Sequence, residues 1–324
     1  MNKTLTWAGM LCVLALTAMP CAAQSQWPGR IEILPVKSTT LTTREFLKGG
    51  VPGQEVLLGG ELRLPVNAPA KVPAVILVHG SGGIGAGPDY WARAFNEIGV
   101  AAFILDSFSG RGIVSTVEDQ DQLGSIAMMA DAYRALGVLA GHKRIMADRI
   151  AVMGFSKGAV ASVFSAMQRF QTGYGGGNWF AAHIGLYTPC NVSYDGDTRL
   201  TGAPIRMYHG ITDDYVNIIP CRDYVGRLKA AGVDVTLTEF PDSQHGFDSP
   251  TAPPILAVPK AQSTRDCRMK EGPDGVILNV ATGKPFVQKA DTCVAIGAHV
   301  GHNVAATDAT RVAVLQFAKD VLLK

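Results

Sequence analysis

The chain has 324 residues, 47% of them hydrophobic and 17% charged, with a formal net charge of +2. This is globular composition with enough apolar material for a large core. So mild a charge, with no long Lys/Arg block, excludes nucleic acid or another polyanion as the expected partner.

In chain order, Lys3 precedes a short apolar run from Leu5 to Leu16 and a small-residue stretch ending Cys21-Ala22-Ala23. A basic start, short apolar core and small-residue end predict a secretory signal peptide over residues 1–23, cleaved after Ala23. The run falls short of the roughly 20 apolar residues that a spanning helix needs. Pro20 argues against lipidation of Cys21. Residues 24–324 are therefore expected to be exported, periplasmic or secreted, without stable membrane insertion. Export places Cys190, Cys221, Cys267 and Cys293 in an oxidising compartment. Of the three pairings open to them, Cys190–Cys221 and Cys267–Cys293 are favoured because each closes a local loop of about thirty residues. A zinc site lacks any Cys-x-x-Cys spacing.

Arg30 to Val36 and Glu55 to Pro65 alternate as two antiparallel strands, with Gly59-Gly60 read as a bulge or bend in the second. From Val75 the pattern changes to short buried apolar runs separated by helical stretches. Strands are predicted at 75–78, 100–105, 150–153, 181–187, 205–209 and 233–240. Helices are predicted at 90–98, 122–139, 159–169, 221–231 and 306–323. This alternation defines an α/β class, a mainly parallel central sheet with helices on both faces, in a single domain. Residues 249–301, rich in Pro, Gly, Lys and Asp, break the alternation and read as an insertion with a hairpin from Gly275 to Phe286. Such an insertion either shapes substrate access or decorates the surface.

Gly154-Phe155-Ser156-Lys157-Gly158 lies between the apolar run 149–153 and a helical stretch. In that setting Gly-x-Ser-x-Gly is a sharp strand-to-helix elbow that leaves the serine hydroxyl exposed above the free N–H groups of the helix. Ser156 is the expected nucleophile; the bland alternative is a capping serine. A serine needs a base that is itself oriented by an acid, and in such sheets these follow in the order serine, acid, histidine. Asp213 and His245 each stand just past a later strand and supply that order. Asp213 is preferred to its neighbour Asp214, and Asp242 is placed awkwardly close to His245. The expected oxyanion donors are the N–H of Lys157 and that of Ser81 in His79-Gly80-Ser81-Gly82-Gly83, with Gly82 as second choice. Arg111 could bind a substrate carboxylate or pin its own loop, the latter being favoured. His299 and His302 have metal-pair spacing without an evident third ligand.

With His79 to Gly83, Asp106 to Gly112, Gly154 to Gly158, Tyr187 to Cys190, Gly210 to Asp214 and His245 to Asp248, the chain resembles the dienelactone hydrolase-like branch of the α/β-hydrolases. The resemblance implies that fold, ester hydrolysis through an acyl-enzyme, no metal or organic cofactor, and a small-molecule or polymeric ester as substrate. It also implies that Cys190 and Cys221 pair, as in exported members. Dienelactone hydrolases proper use a cysteine nucleophile where this chain has Ser156, which favours a general carboxylesterase. A peptidase, amidase or acyltransferase would use the same triad, and a non-catalytic binding module is the reading from another class.

Overall fold

A computed structural model describes residues 30–50 and 52–324. The signal peptide expected over residues 1–23 lies outside them. Strands β1 (Arg30–Thr40) and β2 (Gln54–Leu64) form an antiparallel pair around a short helix α1 (Thr43–Lys48). Thereafter the chain alternates through β3 (Val72–Val78), α2 (Ala86–Glu97), β4 (Ala101–Asp106), α3 (Ser125–Ala140) and β5 (Ile145–Phe155). It continues through α4 (Lys157–Phe164), α5 (Gln168–Tyr174), β6 (Ala182–Leu186), a two-residue strand β7 (Val192–Ser193) and β8 (Ile205–Gly210). Next come α6 (Ile219–Ala230) and β9 (Val235–Phe240). Four short strands follow, β10 (Leu256–Ser263), β11 (Met269–Glu271), β12 (Ile277–Asn279) and β13 (Ala295–Val300), before the closing helix α7 (Val304–Leu322).

The central sheet has the order β1-β2-β4-β3-β5-β6-β8-β9, and every neighbouring pair from β4 to β9 is parallel. Successive side chains of a strand point to opposite faces, and each face here has its own apolar cover. Ile76, Val78, Phe103 and Val152 pack with α3, α4 and α6 in one cluster. Val75, Leu77, Ala102, Ile104 and Met153 pack with Trp91 and Phe95 of α2 and Phe317 and Leu322 of α7 in the other. A strand such as β3, buried at all seven positions, must read as a continuous apolar run. The architecture is the mainly parallel α/β sheet with helices on both faces that the alternation predicts.

Two local expectations are corrected. The β1–β2 register runs without interruption from Arg30↔Leu64 to Thr40↔Gln54, so Gly59-Gly60 is not a bulge in that pairing. Gly60 is there because the Phe103 ring lies across it; a Cβ would stand 1.9 Å from that ring. The helix expected over 159–169 is two helices, because Met167 takes extended dihedrals and bridges Leu200 between α4 and α5.

Candidate active site

Strand β5 runs directly into the elbow. Ser156 has φ +52° and ψ −117°, a backbone state that side chains rarely adopt and that persists only where the surroundings over-determine it. Here Ser156 N donates to Leu186 O (3.0 Å), and Ser156 O accepts from Ala159 N (2.8 Å) in the first turn of α4. Both flanking glycines are required by close backbone approach. A Cβ on Gly154 would lie 2.1 Å from Gly158 O, and one on Gly158 would lie 2.2 Å from Val78 O.

The loops after β8 and β9 bring Asp213 and His245 to this serine. His245 Nδ1 donates to Asp213 Oδ2 (2.8 Å), and Ser156 Oγ lies 2.9 Å from His245 Nε2. A carboxylate only accepts, so it fixes the neutral ring with its proton on Nδ1 and leaves Nε2 to accept from the serine. Asp213 is buried and held on every side: Oδ1 accepts from Tyr215 N (2.9 Å) and Val216 N (2.8 Å), and His209 Nε2 is 3.4 Å from Oδ2. Burial alone would raise its pKa. The charge of His245 and the hydrogen bonds from His209 and His245 outweigh burial and hold the carboxyl well below its usual range.

Two aromatic rings flank the imidazole, Tyr187 at 4.5 Å and Tyr215 at 4.8 Å between centroids. Tyr187 in turn donates to Asp248 Oδ1 (2.9 Å), whose other oxygen accepts from Trp91 Nε1 (2.7 Å). Neither tyrosine was legible as a site residue, because their approach to His245 is tertiary. Asp214 turns away and accepts from the backbone N and Nδ1 of His299, both at 2.8 Å. Its carboxylate is thus engaged away from His245, in keeping with the preference for Asp213. His299 is engaged by the same pair, and no cluster suited to a metal ion occurs among the described residues.

The loop after β3 places Ser81 beside the elbow, and the backbone N–H groups of Ser81 and Lys157 donate to no acceptor among the described residues. Gln120 Oε1 accepts from Ser81 Oγ (3.0 Å), and Ser81 O accepts from Thr116 N (2.8 Å), so the loop 115–123 braces this backbone. Lys157 braces that loop from the other side. Its buried Nζ donates to Thr116 Oγ1 (3.0 Å), Gln120 O (3.0 Å) and Leu123 O (2.5 Å). Burial draws its pKa down to about 7, against the opposing charges of Asp121 and Asp119. Gly82 sits on an exposed turn outside the cavity lining. Arg111 lies elsewhere, held in a two-pronged pair with buried Asp131 (2.8 and 2.9 Å) and bonded to Thr40 Oγ1 and Ser107 O. It locks its own loop to β1 and α3, the alternative favoured for it from the sequence, and it does not line the cavity at Ser156.

A cavity of about 530 Å³ opens at Ser156, Lys157 and Ser81. It is lined on one side by Val160 and Phe164 of α4 and on the other by Gln262, Met269, Ile277 and Phe286 from the insertion. The insertion is tied down around the cavity. Gln262 N donates to Val117 O, Gln120 N donates to Gln262 Oε1, and Lys289 pairs with Asp119. On the far side β11 pairs with β7 in parallel, and Arg169 pairs with Glu271. Disulfides join Cys190 to Cys221 and Cys267 to Cys293. Within the span read as a hairpin, Asn279 N and Phe286 N donate to Lys284 O and Ile277 O.

A parallel sheet with a serine elbow and a following acid and histidine at its carboxyl edge defines the α/β-hydrolase class. The model of the dienelactone hydrolase family matches residues 58–271, and the chain belongs to that family. It is accordingly a hydrolase acting on ester bonds. Among solved structures it is similar to a dienelactone hydrolase-like promiscuous phosphotriesterase from metagenomic libraries. The TM-score is 0.60 at 15% identity over 91% of this chain and 100% of that one. It is likewise similar to a structure named m3DLH, with TM-score 0.58 and 17% identity over 90% and 99% of the two chains. No curated protein matches it.

Proposed function

We propose that the chain is an exported serine carboxylesterase, with residues 24–324 folding as one domain and 249–301 as its insertion. The reading is carried by the hydrogen-bonded run from Ser156 Oγ through His245 to Asp213 at a strained elbow opening on a cavity. Ser156 Oγ attacks the ester carbonyl as His245 Nε2 takes its proton, and Asp213 steadies the imidazolium that forms. The N–H groups of Lys157 and Ser81 receive the negative charge that develops on the carbonyl oxygen. His245 then returns the proton to the departing alkoxide, leaving an acyl-enzyme, and a water activated by the same histidine releases the acid and restores Ser156. The steps use only protein groups and water.

Export is supported by the two disulfides, and no helix among the described residues is long and apolar enough to cross a membrane. The test is hydrolysis of p-nitrophenyl acetate by the wild type and by Ser156→Ala. The reading expects a loss of at least about a thousandfold in kcat with the fold intact. Equal activity in the two proteins would refute it.

A further inference from the structure

Asp248 is a buried acid that the steps above do not use. It is 1% exposed and forms no ion pair among the described residues. Its two oxygens accept from Trp91 Nε1 (2.7 Å) and from the Tyr187 hydroxyl (2.9 Å). Such bonds to a carboxylate favour its ionised form. Burial pushes the Asp248 pKa up, while the bonds from Trp91 and Tyr187 and the charge of His245 oppose that rise. A buried carboxylate without a cation is costly. The neighbour that becomes a cation in the proposed reaction is His245.

The contacts that hold Asp248 also hold the imidazole. Tyr187 lays its ring against His245, 4.5 Å between centroids. Its backbone has φ +41°, a left-handed state that persists only where the surroundings over-determine it. Tyr187 N donates to Tyr208 O (2.7 Å), and the preceding carbonyl, Leu186 O, accepts from Ser156 N. The turn that carries both His245 and Asp248 is fastened at the entry to α7. There His245 O accepts from Gly301 N (3.0 Å), and Phe247 O accepts from Asn303 N (2.9 Å) and Thr307 Oγ1 (2.8 Å). Laid end to end, the Tyr187 contacts put the carboxylate no more than about 10 Å from the imidazole. A unit charge at about that distance, with an effective dielectric of about 20, is worth about one pKa unit. The other titratable groups about His245 are Asp213, Tyr187 and Tyr215, with His209 beyond Asp213. About Asp248 they are Tyr187, His245 and Tyr90 of α2. Burial pushes all three phenols up, Tyr215 to about 12, so none is an anion near neutral pH. Arg311 and Asp308 of α7 act on Tyr90, and Arg311 is paired with Glu97.

We propose that Asp248 is a positioning residue for His245: through Tyr187 it fixes the imidazole, and its charge favours the imidazolium formed as Ser156 gives up its proton. The inference rests on the esterase reading above. Its test is the pH profile of kcat/KM for p-nitrophenyl acetate in the wild type, Asp248→Asn and Tyr187→Phe, each checked for folding by circular dichroism. Asp248→Asn removes the charge and keeps the shape. Its acid limb should move down by about one pH unit and its kcat fall about tenfold, one unit being a factor of ten. Tyr187→Phe keeps the ring and the carboxylate but removes a donor to the ionised form, so its limb should move the same way by less. KM should change little in either, since neither side chain lines the cavity. A merely structural role would lower the folded fraction and leave the limb in place. An acid limb at the wild-type pH in folded Asp248→Asn overturns the proposal. So does a wild-type limb in Tyr187→Phe, which adds no atom and decides the matter even if Asp248→Asn does not fold. Hydrolysis that survives Ser156→Ala would bring down the esterase reading. Ser156-dependent hydrolysis with a limb indifferent to both variants brings down this inference alone.

Discussion

Lys157 ties the helix that follows Ser156 to the loop that braces Ser81, and Lys157→Met tests that brace. The variant keeps much of the side-chain volume and removes the donor to Thr116 Oγ1, Gln120 O and Leu123 O. Thr116 Oγ1 retains a 3.4 Å contact with Gln120 Oε1, so the principal losses are the two carbonyls. Each buried acceptor left unmade costs about 1–3 kcal/mol, while removing a buried ammonium returns part of that cost. A net destabilisation of about 1–3 kcal/mol follows. Loss of a whole oxyanion donor costs about 10²–10³ in kcat, and a loosened Ser81 should cost less, about 10- to 100-fold. The pH dependence has a definite sign. Burial lowers the native lysine pKa from 10.5 to about 7, so between those values the unfolded chain binds more protons and wild-type stability rises with pH. Denaturant unfolding at pH 7 and 9.5, with kcat on p-nitrophenyl acetate, reads both effects. A variant with wild-type stability and kcat, or with the same rise in stability toward pH 9.5, would refute the reasoning.

Asp213→Asn should lower kcat by about 10³–10⁴, because an amide no longer secures the proton on His245 Nδ1. Asp213's lowered native pKa adds stability that is complete above the usual carboxylate range near 4 and is lost as pH falls through the native value. The stability gap between wild type and variant, measured by denaturation at pH 7 and pH 3, should therefore narrow in acid. The double substitution Cys267→Ser, Cys293→Ser opens a crosslink spanning 26 residues of the insertion. Loop-closure entropy puts its contribution at about 3–4 kcal/mol. A lower Tm and a raised KM for p-nitrophenyl esters are expected, and unchanged values of both would show that the insertion does not depend on the bond.

The three residues proposed to act in catalysis were legible because each announces itself locally: Ser156 by two glycines between a strand and a helix, Asp213 and His245 by standing just past apolar runs. The sheet was legible for the same reason, since a strand buried on both faces is a run such as 72–78. What the sequence hid depends on contacts made across long stretches of chain. The Asp214–His299 bond joins positions 85 residues apart, so Asp214 looked like a second candidate acid and His299 like half of a metal pair. Gly60 read as a bulge because the Phe103 ring that requires it belongs to another strand. The insertion has no periodicity to reveal that Gln262 and Lys289 fasten it over the cavity.

The central claim is that Ser156 forms a covalent intermediate. The most direct measurement is intact-mass and peptide mass spectrometry of the protein after treatment with a fluorophosphonate. The account predicts a single adduct on the peptide containing Ser156, absent from Ser156→Ala and suppressed in His245→Ala. An unmodified wild type, or an adduct of equal yield in Ser156→Ala, would contradict it.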